Sequence, residues 1–138
     1  MKGEILALIS AILWGIAPVI DRYALSNGAP IYTALTVRAV GALLAMIFIV
    51  FALRTSFSIR LDLTILLLIA GAIGGAIAMI FYYMALDVLG ASRTVPITAI
   101  YPMFTALFSI LLLSEPLTPK MVVGIAFIIL GVVIVSEV

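Results

Sequence analysis

Residues 30–53 read PIYTALTVRAVGALLAMIFIVFAL, and the only charge in the stretch is Arg38. As a helix rising about 1.5 Å per residue it covers about 36 Å, enough to cross a hydrocarbon core of about 30 Å. A soluble surface helix keeps one polar face; this block is apolar nearly all round and reads as a membrane span. Pro30 sits where a first helical residue belongs, since its missing N–H would have no helical partner there. The turn signal Ser26-Asn27-Gly28 precedes the block, and the polar run Arg54-Thr55-Ser56-Phe57-Ser58-Ile59-Arg60 follows it.

The same reading extends in both directions. Apolar blocks at about 4–24, 63–89, 92–114 and 119–136 predict four further spans, five in all. The links are so short that sequential helices must be antiparallel neighbours. Thr118 is placed to cap the fifth helix and Pro119 to start it. Of the 138 residues 67% are apolar and 9% charged, against roughly a quarter charged in soluble domains, so a water-soluble fold is excluded. No period-2 alternation appears, which makes a closed β-barrel the weaker alternative. The fold class is therefore an all-α integral membrane bundle, a single domain over residues 1–138. Met1-Lys2-Gly3-Glu4 opens like a signal peptide, but no small-x-small cleavage site and polar mature domain follow.

Composition also bounds the chemistry. Cysteine and histidine are both absent, which removes disulfides, thiolate chemistry and histidine-based metal sites. With few carboxylates left, no nucleophile–base pair or metal cluster can be assembled. An enzyme, a metal site and a cofactor are not expected. A net charge of +1 offers nothing for nucleic acid. The partners expected are the lipid bilayer and a small molecule. Lys2, Arg54, Arg60 and Lys120 fall on one side of the membrane, Arg22 and Arg93 on the other. Four against two favours a cytoplasmic N-terminus in the plasma membrane and leaves dual orientation open.

Polar residues within the spans carry the functional signal, because each must face protein or water. In the fourth helix Thr94, Thr98, Tyr101, Thr105 and Ser109 fall within about 80° of one another at 100° per residue. Pro102 beside them cannot donate to the carbonyl of Thr98. Singly, such hydroxyls usually bond back to their own helix or glue two helices together; five on one face point to a cavity lining. In the first helix Ser10, Trp14, Pro18 and Asp21 share a face, and Pro18 frees the carbonyl of Trp14. Pro18 and Pro102 are thus the expected helix breaks. Arg38 lies about 12 Å into the second helix. Asp21 or Asp87, on the same side of the membrane, can pair with it, as a structural ion pair or beside a substrate anion. Gly71, Gly74, Gly75 and Ala78 form a small-residue face in the third helix, read as packing, and Tyr82 and Tyr83 follow. Gly124 and Gly131 lie on one face of a fifth helix that looks like a scaffold or dimer contact.

Several of these stretches, in order, resemble the EamA-like half-transporters of the drug/metabolite transporter superfamily. They are Leu13-Trp14-Gly15 with Pro18, Arg38 after Pro30, Tyr83-Met84-Ala85-Leu86, Ala99-Ile100-Tyr101-Pro102, Leu111-Leu112-Leu113-Ser114-Glu115-Pro116-Leu117-Thr118, and Gly124 with Leu130-Gly131-Val132-Val133. The resemblance covers nearly the whole chain. It implies a secondary transporter or exporter of small metabolites. Relatives usually carry two such halves in inverted orientation with substrate between them, so a single half implies a homodimer, antiparallel, or a separate second half-transporter. The chain is also similar to the four-helix small multidrug-resistance proteins, which depend on a glutamate in the first helix. Ile12-Leu13-Trp14-Gly15-Ile16 holds none. The substrate cavity expected is lined by Trp14, Arg38, Tyr82, Thr98, Tyr101 and Thr105, with alternating access. The competing readings are an accessory protein that assembles with another membrane protein, and a lipid flippase.

Overall fold

The computed structural model describes residues 2–55 and 58–136; the long connection after the second span includes residues 56 and 57, which lie outside them. Among the described residues the chain is helical with no strand. Five helical stretches are long and apolar enough to cross a membrane: Gly3–Ser26, Ile31–Ala52, Leu61–Leu89, Ala91–Leu113 and Pro119–Ser136. These match the five expected spans to within two or three residues at each end. Most large apolar side chains are exposed. In a bilayer acyl chains cover such a surface, and only packing and polar contacts are left to hold helices together. The chain divides into two compact units, Met1–Val88 and Leu89–Val138.

The first unit begins with α1 (Lys2–Ser26). Pro18, expected to break it, lies inside a continuous helix. One lost hydrogen bond at a proline is tolerated where neighbours in the membrane re-satisfy the freed group. The helix closes by a Schellman motif, with Ala29 N–H donating to Ala24 O at 3.1 Å and Gly28 N–H to Leu25 O at 3.0 Å. This close requires the φ of +90° at Gly28, a region open to glycine at no steric cost. α2 (Ile31–Ala52) then starts one residue later than the proline rule places it, with Pro30 extended at the cap position. It ends in the same motif, Arg54 N–H to Phe51 O and Thr55 N–H to Val50 O, both 3.2 Å. Here the left-handed residue is Arg54, at φ 50°.

The third span is not one regular helix. α3 (Leu61–Ala70) widens into a π-helical stretch, Gly71–Ile77, before α4 (Ala78–Leu89) resumes. The widened turn coincides with Gly71, Gly74 and Gly75, where no side chain enforces the tighter α spacing. A Cβ at any of the three would meet nothing within 4 Å. The close packing expected on this face is therefore not made within the described chain.

The second unit contains the break. The fourth span is α5 (Ala91–Thr98), a turn at Ala99 and Ile100, and α6 (Tyr101–Leu113). Pro102 sits in the first turn of α6, where its missing N–H is harmless. Pro96 lies inside α5, and with Pro102 six positions on, one continuous helix through both would lack two N–H donors. Across the gap the N–H groups tighten to i−3 partners, Ile100 to Ile97 O at 3.4 Å and Met103 to Ile100 O at 3.1 Å. The stripe of hydroxyls read from the sequence is thus carried by two short helices and not one. α7 (Pro119–Ser136) is capped as its sequence predicts, Met121 N–H donating to Thr118 Oγ1 at 3.3 Å.

Candidate functional site

The densest polar cluster lies in the first unit, where α1 meets both α2 and α4. Asp21 and Arg22 are adjacent on α1 and so point about 100° apart. That divergence lets one residue reach each neighbour. Arg22 Nη1 donates to the backbone oxygen of Asp87 at 2.8 Å and to its Oδ1 at 3.0 Å, tying α1 to the last turn of α4. Arg38 Nη1 lies 3.3 Å from Asp21 Oδ2, tying α1 to α2. Of the two partners the sequence offered for Arg38, Asp21 takes it and Asp87 is held by Arg22.

The two pairs differ in environment. In the outer one Arg22 is partly exposed, at 35%, and Asp87 is exposed, at 49%. In the inner one Asp21 is only 13% exposed and Arg38 40%. The inner contact is also poorly directed: Asp21 Oδ2 is buried and accepts no hydrogen bond among the described residues despite its closeness to Nη1. Attraction between charges needs no linear geometry, so the ion pair stands while one lone pair goes unfilled.

Arg38 is likewise under-used. Its Nη1 also points at Met79 Sδ, 3.8 Å away, and a thioether is a weak acceptor. Its Cζ lies 5.9 Å from the ring centre of Tyr83, within cation–π range. Tyr83 itself is 1% exposed and its neighbour Leu86 0%, so the guanidinium rests on a fixed floor. Tyr82 packs beside Tyr83, ring centres 6.4 Å apart, and both tyrosines feel the charges of Asp21 and Arg38. A guanidinium has five N–H donors; here most have no acceptor among the described residues. The cluster can offer those donors to an incoming anionic group.

The other sequence candidates sit elsewhere. Trp14 on α1 is exposed. In the second unit Thr98 Oγ1 donates to Thr94 O at 3.0 Å and Val95 O at 2.9 Å. Thr105 Oγ1 donates to Tyr101 O at 3.2 Å and Ser109 Oγ to Ala106 O at 3.1 Å. These hydroxyls bond back to their own helix, the commoner fate of such residues in membranes. Tyr101 is exposed. Thr94 is almost wholly buried and its Oγ1 has no hydrogen-bond partner among the described residues. A shallow groove of about 290 Å³ in this unit is lined by apolar residues only, among them Met103, Leu107, Ile110, Val122 and Ile129.

Three contributors were not singled out in the sequence: Arg22, Met79 and, as the floor under Arg38, Tyr83. Met79, Tyr83 and Asp87 are spaced by four, which places them on one face of α4. The sequence signal for that face is this spacing of four, set against the equally polar Tyr82 one position and 100° away.

Comparison with known proteins gives a family match over nearly the whole sequence. Residues 1–137 match the EamA-like transporter family. An uncharacterized protein of Methanocaldococcus jannaschii is 32% identical over 133 residues, covering 96% of this chain and 94% of that protein. No solved structure matches. With the match running over nearly its whole length, this chain belongs to the EamA-like transporter family, within the drug/metabolite transporter superfamily.

Proposed function

We propose that the chain is one half of a secondary transporter of small metabolites that works as an antiparallel homodimer by alternating access, with Arg38 anchoring an anionic group of the substrate. The observation that carries this reading is an arginine inside a span, floored by Tyr83 at 5.9 Å and paired to Asp21 with most of its donors unfilled. An intramembrane arginine is costly enough that it marks a functional site by default. Within the same unit Tyr82 beside Tyr83 and Trp14 on α1 line the path, and no catalytic step is involved. The N-terminus faces the cytoplasm across the plasma membrane in one copy and the outside in the other.

Support for the dimer comes from small-residue faces with no close neighbour among the described residues. A Cβ at Gly71, Gly74, Gly75, Gly124 or Gly131 would meet nothing within 4 Å, and such faces let helices of a second chain approach closely. The thin excess of basic residues on one side permits both orientations.

Flux of carboxylates, phosphate esters and zwitterions into liposomes holding the purified protein tests the reading. Protein-dependent flux that Arg38→Met abolishes is the expected result; no flux across the panel, from folded protein, counts against it. The chain has no cysteine, so a single Ser58→Cys reports orientation directly, and labelling from both sides is expected.

The apolar groove favours a second reading, a lipid flippase, because an acyl chain fits such a trough. Scrambling of a fluorescent phospholipid by the same liposomes would support it.

A further inference from the structure

We propose that Asp21 and Arg38 form a linked proton-and-anion site: an anionic group, such as a carboxylate, takes the guanidinium of Arg38, and Asp21 takes up one proton as it does so. The inference rests on the anion-anchoring role of Arg38 given above and adds the coupling ion.

Charge balance carries it. The cluster holds two cations, Arg22 and Arg38, and two anions, Asp21 and Asp87, paired one to one. It is neutral as it stands. A monoanion arriving at Arg38 leaves one net negative charge at membrane depth, where uncompensated charge is strongly disfavoured. A proton is the simplest remedy, and the question is which group accepts it.

Arg38, from α2, and Arg22, next along α1, are already fully protonated, as guanidinium groups are in proteins. Tyr82 and Tyr83, from α4, are neutral phenols with no proton to gain. Asp87 keeps its own cation, with Arg22 bound to both its carboxylate and its backbone oxygen, and it is half exposed. Asp21 has neither advantage. Its cation is the one the ligand would take, it is largely buried, and one of its oxygens already lacks a hydrogen-bond partner. A protonated Asp21 would turn from a pure acceptor into a donor, able to bond the incoming anion instead of repelling it.

The balance is simple. An anion and a proton enter from the open side, an O–H bond forms on Asp21, and no other bond is made or broken. The loaded site is as neutral as the empty one. Exposure of the site to the opposite side then moves no net charge, and the process is an electroneutral symport of a monoanion with a proton.

The test uses two probes that stay anionic across the neutral range, benzoate and benzenesulfonate, with the full chain purified in detergent. Calorimetric titration in buffers of different ionisation heat counts protons on the unmodified protein. About one proton taken up per anion bound is expected, with affinity falling about tenfold per pH unit as pH rises. Asp21→Asn should bind both probes with no proton uptake and no pH slope, and Arg38→Met should bind neither. In liposomes, uptake should follow a pH gradient and ignore an imposed membrane potential. Binding by the unmodified protein without proton uptake overturns the inference and leaves anion recognition standing. So does an Asp21→Asn variant that keeps the pH slope. Folded protein that binds neither probe and transports no anion overturns both readings together.

Discussion

Removing Arg38 alone should destabilise the protein more than removing Arg38 and Asp21 together. At 3.3 Å two unit charges attract by about 1 kcal/mol in water and about 5 kcal/mol at an effective dielectric constant of about 20. Asp21 is mostly buried and Arg38 less so, so the pair lies between those limits, at a coupling of about 2–4 kcal/mol. Arg38→Met keeps most of the side-chain volume and strands the carboxylate of Asp21, a loss of about 3 kcal/mol on the pattern of broken buried pairs. Asp21→Asn strands the guanidinium, which has Tyr83 beneath it and loses somewhat less. The double variant removes both charges and should recover to within about 1 kcal/mol of the parent. The assay is equilibrium unfolding in mixed detergent micelles, read by helical circular dichroism, for the parent, both single variants and the double. Arg22 and Asp87 supply an internal control: at 35% and 49% exposure their coupling should stay under about 1 kcal/mol and shrink with salt. Single-variant losses at the inner pair that simply add, leaving a coupling below about 0.5 kcal/mol, would refute the claim that the two charges depend on each other.

Other expectations follow from local geometry. Arg54 holds a left-handed φ of 50°, so Arg54→Gly should raise stability by up to about 1 kcal/mol, whereas Gly28→Ala at φ +90° should lower it by about 1 kcal/mol or more; thermal unfolding of the two variants measures both. Thr94→Val replaces a buried hydroxyl with no partner by a methyl of similar size and should leave stability unchanged or increase it by about 1 kcal/mol; a clear loss would mean that Oγ1 is satisfied after all. Tyr83→Phe keeps a ring under Arg38 and should cost little, while Tyr83→Leu removes the cation–π contact, about 1 kcal/mol, and loosens the floor of the site. Weaker anion binding in the leucine variant alone is the expected readout.

Hydropathy made the spans legible, since twenty apolar residues in a row have few alternatives in lipid. Helix ends were legible for a related reason: Thr118, Pro119, Pro30 and Gly28 each solve a local backbone problem that depends on neighbours a few residues away. The two irregular spans were less so. Pro18 and Pro102 look alike in sequence, yet α1 passes through the first and the fourth span breaks ahead of the second. The difference lies in the second proline of the fourth span, Pro96. One missing bond leaves a helix able to continue, whereas two missing donors less than two turns apart weaken the restraint on both sides of Ala99 and Ile100. The π-helical turn at Gly71–Ile77 could not be read from glycine content, because the same glycines equally permit close packing.

The polar site shows the same contrast between local and non-local information. The sequence placed Arg38, Asp21 and Asp87 at one membrane side but could not choose between the carboxylates, because the choice depends on the rotation of α1 relative to its neighbours. That rotation turns on the adjacency of Asp21 and Arg22. Two opposite charges side by side on a helix point about 100° apart, and each can be satisfied only by a different neighbouring helix. Once Arg22 is committed to Asp87 at the exposed helix ends, Asp21 is delivered to Arg38 further in. The outer pair then does for the inner one what a positioning contact does for a catalytic group. It holds the carboxylate beside the guanidinium, and in the proposed coupling it gives up neither of its own charges. Loss of the outer pair should therefore weaken anion binding without altering the number of protons taken up with each anion. Loss of Asp21 should do the reverse.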